Sequence, residues 1–242
     1  MYAREIQGNL HTFGVSGKLI MNALVMYDHQ SETLWSQFLS RGVKGPLANT
    51  QLEILASLQT TWSQWLSLHP DTTVLDKRGR YQTDSYEGYY GGGSTGIIGE
   101  SNKDERLPGK DLVLGVDLVS AAKAYPFRAM AGQAAINDFF SGRPVLIAFD
   151  PLNETGAAFL RSVDGQPLHF DTATKTIDGV FLLRDQETGS TWQALTGRAI
   201  DGPLAGTALE RLPSFYSFWF AWSDFHPDTE LFALPPGQVG SG

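Results

Sequence analysis

Cysteine is missing altogether from these 242 residues. Its absence excludes disulfides, thiolate-bound zinc and thiol catalysis within the chain, and leaves the redox compartment open. Charged side chains are scarce at 18%, and the 18 Lys and Arg neither outnumber the 26 Asp and Glu nor gather into a basic run. A nucleic-acid backbone needs such a run, so nucleic acid is not an expected partner. No apolar stretch reaches the roughly 18 residues of a membrane span, and no leader with a basic start and apolar middle opens the chain. The sequence as given reads as soluble, without a membrane partner. Its compartment stays open, because a start further upstream would allow export. Hydrophobic residues at 42% suffice for a real core in one large or two small domains.

What the chain does contain is a copy of itself. An offset of 157 residues places Asp28 on Asp185, Trp35 on Trp192 and Gly45-Pro46-Leu47-Ala48 on Gly202-Pro203-Leu204-Ala205. The same offset carries Trp62 and Trp65 onto Trp219 and Trp222, and His69-Pro70-Asp71-Thr72 onto His226-Pro227-Asp228-Thr229. A gapless match that keeps Trp, Gly and Pro marks a tandem duplication of domain size rather than a solenoid. It runs back to Met1, which meets Ala158, yet the second copy begins earlier, at the apolar run 112–116. The first copy therefore has no counterpart of residues 112–157. We expect 1–78 to form a first, truncated repeat, 79–110 a Tyr- and Gly-rich connection, 111–233 the second repeat and 234–242 a Pro/Gly tail. Equivalent tryptophans should be buried in equivalent places.

Short apolar runs with Gly and Asn punctuation predict strands at 2–6, 10–15, 24–27 and 33–38, with a turn at 28–32. Thr60 and Thr61 can cap a helix that shares Trp62, Trp65 and Leu66 on one face, ended by Pro70 and followed by a strand at 73–75. In the connection, Tyr81, Tyr86, Tyr89 and Tyr90 call for burial. The second copy adds a strand at 112–118, a helix-like stretch at 120–130 interrupted by Pro126, and a strand at 144–149. A hairpin of 156–161 with 167–171 then matches the one at the N-terminus, and an aromatic helix at 215–225 should be buried. The fold class is β-dominated α+β: two homologous copies of a mixed strand and short-helix domain, the first lacking its N-terminal part.

Few residues announce chemistry, and none is singled out as catalytic. Gly92-Gly93-Ser94-Thr95-Gly96 fits the nucleophile-elbow spacing, but no buried strand precedes it and no helix follows, so it reads as a turn. Each His-Pro-Asp-Thr motif could hold a metal or pass a proton. Pro ending a helix, Asp making a turn and Thr starting the next strand also account for it, and this structural account is favoured. Segment 28–37 is rich in polar groups; it keeps Asp28 and Trp35 in both copies, while His29, Glu32 and Gln37 become Gln186, Gly189 and Ala194. A duplicated fold can retain a site in one copy only, so positions that differ are the better ligand candidates. We therefore expect any surviving small-molecule site where His29, Glu32 and Gln37 approach His69 and Asp71, with aromatic residues as its floor.

Phe13-Gly14-Val15-Ser16-Gly17, Leu24-Val25-Met26-Tyr27-Asp28, Trp35-Ser36-Gln37 and Gly45-Pro46-Leu47 closely resemble the bacterial family called domain of unknown function 3179. Ala124-Tyr125-Pro126, Ile136-Asn137-Asp138 and Pro144-Val145-Leu146 are similar to its earlier part. Family members carry Cys-Pro-Leu-Cys-Gly-Thr after the central strand, which implies redox or metal chemistry. The matching stretch here is Asp150-Pro151-Leu152-Asn153-Glu154-Thr155, and the family's His-Glu falls on Gln133-Ala134. Copy two thus resembles a degenerate domain in which Gln133, Asp150 and Asn153 replace the reactive groups. Asp150 and Asn153 should hold a turn, with no metal or other cofactor bound.

The expected function is a non-catalytic or degenerate binding or structural module with an unidentified small-molecule ligand. One alternative is a redox or metal-dependent enzyme whose Cys-x-x-Cys motif lies in a missing N-terminal segment. A second is an oligosaccharide-binding module built on exposed aromatics. The N-terminal edge, lacking its covering strand, is expected to allow self-association.

Overall fold

The computed structural model describes residues 1–233 except 56, 77, 80–82, 84, 85, 119 and 178; Tyr81 and the tail at 234–242 lie outside the described residues. Copy one opens with a small hairpin, β1 (Glu5–Ile6) and β2 (Asn9–Leu10), turned by Gln7 and Gly8 with positive φ. A four-stranded antiparallel meander follows: β3 (Phe13–Ile20), β4 (Ala23–Asp28), β5 (Leu34–Ser36) and β6 (Arg41–Lys44). Helix α1 (Trp62–Leu68) starts at Thr61, whose hydroxyl accepts the Gln64 N–H at 3.3 Å, as the capping pattern predicts. The connection contributes one short helix, α2 (Glu87–Gly91), where Tyr86 and Tyr90 stay exposed and Tyr89 is half-buried.

Copy two begins with β7 (Leu112–Asp117) and β8 (Ala122–Pro126), then α3 (Phe127–Met130). Strands β9 (Ala135–Phe140), β10 (Arg143–Asp150) and β11 (Thr155–Leu160) form a three-stranded antiparallel sheet with β10 at its centre. A hairpin of β12 (Ser162–Val163) and β13 (Gln166–Pro167) precedes the second meander, β14 (Phe170–Ile177), β15 (Val180–Asp185), β16 (Thr191–Gln193) and β17 (Arg198–Asp201). Strand β18 (Ser214–Phe218), α4 (Trp219–Phe225) and β19 (Glu230–Leu231) complete the described chain. The last sheet runs β18-β7-β8-β19, with β19 parallel to β8. Every strand of the first hairpin and meander begins 157 residues before its counterpart, and α1 stands at the same offset from α4. The protein is a β-dominated α+β fold in two copies.

Four sequence expectations give way to strand pairing. Residues 122–126 form β8 rather than helix, because they bond to β7 along their length. The first residues of the expected helix at 215–225 form β18 on the other edge of β7, and the helix begins only at Trp219. Residues 156–161 belong to β11 beside β10, so the matching hairpin lies at β12 and β13 instead. No strand forms at 73–75. Its counterpart β19 rests on β8, and among the described residues no strand stands in that position beside 73–75.

The same gap divides the tryptophans. Trp35 and Trp192 are fully buried, each edge-on to a phenylalanine, Phe13 or Phe170. Trp219 and Trp222 are likewise fully buried, with α4 lying so close on β7 that a Cβ at Gly115 would sit 2.0 Å from the Trp222 ring. On α1, however, Trp62 is 51% exposed and Leu66 is 39% exposed. The expectation of equal burial is corrected here: α1 lacks the sheet that covers α4. Phe38 of copy one instead enters the aromatic cluster of copy two, stacked on Phe225 at 4.2 Å and edge-on to Phe215 at 5.1 Å. Replacing Trp219 by Ala should therefore cost about 3–5 kcal/mol, the usual range for emptying a buried Trp site, and Trp62→Ala under about 1 kcal/mol. Urea denaturation of the two variants compares them directly; equal losses would show that the exposed α1 face carries as much packing as the buried one.

Candidate functional site

Each meander turns on a buried carboxylate. Asp28 and Asp185 are at most 1% exposed. The Trp35 indole N–H donates to Asp28 Oδ2 at 2.9 Å, and that of Trp192 to Asp185 Oδ2 at 2.8 Å. The turn closes back on the same carboxylate, through the N–H and hydroxyl of Ser31 in one copy and of Thr188 in the other. Gly45 and Gly202 are part of this unit. Both have positive φ, and a Cβ would lie 2.8 Å from Thr33 Cα or 2.7 Å from Ser190 Cα. Burial alone raises the pKa of Asp28, but the Ser31 hydroxyl, Trp35 indole, Ser31 N–H and His11 ring outweigh it and hold the group well below the usual carboxylate range. Asp185 is lowered in the same way, against burial, by Trp192, Thr188 and the Gly189 N–H. Copy one alone adds a buried histidine: His11 Nδ1 lies 3.2 Å from Asp28 Oδ1, where copy two has Leu168.

The five ligand candidates read from the sequence are spread out. His29 and Glu32 sit exposed on the β4–β5 turn, His29 edge-on to Tyr27 at 4.9 Å. Glu32 has φ 56°, matched by Gly189 at 73°, so this position is a left-handed turn residue in both copies. Gln37 lies past the other end of β5, and its backbone carbonyl takes the Tyr2 hydroxyl. His69 and Asp71 are exposed beyond α1, with the His69 ring 4.3 Å from Trp65. The repeated His-Pro-Asp-Thr has a structural use in both copies: the Trp65 indole donates to Thr72 Oγ1 at 2.9 Å, and Trp222 to Thr229 Oγ1 at 2.8 Å. Ser94 follows α2 in irregular backbone, without a strand before it.

The motif turn lies between β10 and β11. Asp150, 2% exposed, receives the N–H groups of Leu152 at 3.0 Å and Asn153 at 3.3 Å on Oδ1. Its Oδ2 takes the Asn153 side-chain amide at 2.8 Å and the amide of Gln64 at 2.5 Å. Gln64 reaches this turn from α1 of the other copy, and it is the one buried residue of that helix. The amide oxygen of Gln64 accepts the hydroxyls of Thr60 and Thr155 at 2.6 and 3.0 Å, and its NH2 also reaches the Gly179 carbonyl at 3.3 Å. Gln133 is half-buried at the same end of the sheet, one residue before Ala134, whose carbonyl accepts the Phe149 N–H. Sequence reasoning passed over Gln64. The available signal was that Ala221 stands at its counterpart in copy two.

A cavity of about 490 Å³ opens between the copies. Equivalent stretches line its two sides: Ile54, Leu55 and Ser57 from copy one, and Arg211, Leu212 and Ser214 from copy two. Tyr2, Gln37 and Tyr216 also border it. The Tyr216 hydroxyl accepts the Gly156 N–H and donates to the Gln59 carbonyl at 3.1 Å, so it joins motif strand, cavity and copy one. Burial raises its pKa to about 12 despite the Gly156 N–H and Arg211.

These features define a duplicated β-rich protein whose motif turn is closed by a side chain from its own partner copy. The sequence profile of the family described as protein of unknown function (DUF3179) matches twice, over residues 1–120 and 98–239. The chain belongs to that family. No curated protein and no solved structure matches it.

Because Asp28 and Asp185 ionise more readily folded than unfolded, the folded state binds fewer protons in acid. Their contribution is complete above about pH 5 and is lost progressively as the pH falls through the ordinary carboxylate range towards their lowered values. Urea midpoints should therefore drop between pH 5 and pH 3, and Asp28→Asn with Asp185→Asn should flatten that drop. An unchanged pH slope in the double variant would remove these two groups as its source.

Proposed function

We propose that the protein is a non-catalytic binding and structural module, in which the motif turn of copy two clasps the copies together instead of running a reaction. The saturation of Asp150 supports this. A carboxylate offers about four lone-pair directions, and four donors fill them, one from each of Leu152 and Gln64 and two from Asn153. A metal entering here has to break that set. The family's sulfur positions carry oxygen groups in this chain, which suit a hard cation at best and supply no thiolate, so the residues present do not fit redox or soft-metal chemistry. An oligosaccharide platform needs several exposed rings. Among the described residues the exposed rings are Trp62 on α1, Tyr86 and Tyr90 at α2, and Phe139 on β9, so they are divided among three separate elements, while Trp35, Trp192, Trp219 and Trp222 are buried.

The N-terminal edge fits the structural side of this role. Ala3 N–H donates to Glu53 and Leu55 N–H to Met1, so the segment is paired on one side within its own copy. The other side corresponds to the face of β11 that β10 covers in copy two. A strand added there by a second chain is the self-association that this edge allows.

The clasp is tested by a double-mutant cycle on Gln64→Ala and Asp150→Ala. We expect each single change to destabilise by about 1–3 kcal/mol and the pair to couple by at least about 1 kcal/mol. Titration with zinc, copper and manganese should leave the melting temperature unchanged. Additive losses, or a saturable stabilisation by metal that Asp150→Ala removes, would sink the proposal.

A further inference from the structure

The cavity between the copies carries an uncompensated charge. Arg211 is half-buried, its guanidinium 5.6 Å from the Phe159 ring centre, and no carboxylate pairs with it among the described residues. Other cations near the junction are engaged: Lys110 bonds the Tyr89 and Gly92 carbonyls, and Arg128 pairs with Asp111 at 2.5 Å. No Asp or Glu lines the cavity, although the chain as a whole is acidic at −8. Burial depresses the Arg211 pKa against the opposing influence of Tyr216, so the guanidinium is held partly out of water without a counter-charge. A cation in that position gains from any anion that reaches it.

The two walls differ in a way that defines the ligand. Arg211 occupies the position that Ile54 fills across the cavity, so one end is charged and the facing wall is apolar. Phe38, Leu55, Leu212 and Phe215 extend that apolar surface, while the hydroxyls of Ser40, Ser57 and Ser214 stand along it. The volume of about 490 Å³ falls in the range of small-molecule sites. One guanidinium supplies a single positive charge in a planar fork that matches a carboxylate bidentately. The Met1 ammonium also borders the cavity, 3.5 Å from Ser57 Oγ.

We propose that the inter-copy cavity binds a small organic carboxylate with an aromatic or aliphatic body, its head held by Arg211 and its body against Ile54, Leu55 and Phe38. This deepens the binding-module proposal by giving it a ligand class, but it depends on Arg211 and not on Asp150, so the two fail separately.

The test is calorimetric titration with 4-phenylbutyrate, its neutral amide 4-phenylbutyramide, and phenyl phosphate, on the full chain and on Arg211→Met. We expect 4-phenylbutyrate to bind with a Kd near or below about 1 mM, and the amide at least about tenfold more weakly. Arg211→Met should abolish the preference for the carboxylate while leaving amide binding within about twofold. If that variant fails to fold by circular dichroism, Arg211→Lys replaces it and should weaken carboxylate binding without removing it. Equal binding of acid and amide by the unaltered protein overturns the proposal, as does tighter binding of phenyl phosphate. Absence of carboxylate binding up to about 10 mM overturns it as well. A metal effect at Asp150 with intact carboxylate binding would refute only the clasp.

Discussion

A carboxylate taken out of water needs hydrogen-bond donors, and this fold is organised around four buried acids that have them, Asp224 through its Oδ1 alone. Asp28, Asp185, Asp150 and Asp224 are each at most 2% exposed. The first two tie the β4–β5 and β15–β16 corners to a buried tryptophan, which fixes the register of each meander. Asp150 binds α1 to the far copy. Asp224, on α4, receives the N–H groups of Ser101 and Asn102 at 2.9 and 2.7 Å, which anchors the connection to the second copy. Hydrogen bonds to charged groups contribute about 1.5–3 kcal/mol and leave a costly orphan when one partner is lost. The scarcity of charge in the sequence is thus deceptive: several of the few acids are buried at places where the backbone has to turn or two segments have to meet.

The duplication explains why the junction is built as it is. In copy two, α4 rests on β7 and β8 and buries Trp219 and Trp222. Copy one has no such sheet in this chain, so α1 packs elsewhere. It places Gln64 at the motif turn, and Leu68 joins the core formed by the second meander. The connecting segment performs a related service on the other side. Asn22, at the β3–β4 turn, accepts the N–H groups of Ile97 and Ile98 and donates to the Gly99 carbonyl. Its counterpart in copy two is Gly179, whose carbonyl is reached by Gln64. Equivalent turns are therefore capped by unrelated pieces of chain.

How much of this was legible in the sequence depends on the range of the interaction. The Asp–Trp corners and the Gly-Pro-Leu turn are local, and an internal comparison exposes them because both copies need them; the Thr61 cap is local too, but copy two has Phe218 there and no side-chain cap. Residues 122–126 and 214–218 misled for a physical reason. Their apolar patterns are compatible with helix, and only the presence of β7 between them selects strand. Strand 73–75 failed from the opposite cause, a sound local pattern with no neighbour to pair with. The candidate residues His29, Glu32 and Gln37 were sought by difference between copies, but within a single segment. Glu32 and Gly189 share a left-handed turn conformation, φ 56° and 73°, so the backbone is alike at the two positions.

Besides Gln37, which borders the cavity, the copies differ at Gln64 against Ala221, Arg211 against Ile54, Tyr216 against Gln59 and His11 against Leu168. In three of these pairs one copy holds a polar or charged group where the other holds an apolar one, in the Tyr216–Gln59 pair a phenol stands against an amide, and the first three pairs named meet where the copies touch. Symmetric copies would present two identical walls to the cavity between them, with either two guanidiniums repelling each other or none. Divergence at a single equivalent pair removes that conflict and gives the cavity a direction, charged at one end and apolar at the other. An oriented cavity can distinguish the head of a molecule from its tail. A strictly repeated one cannot.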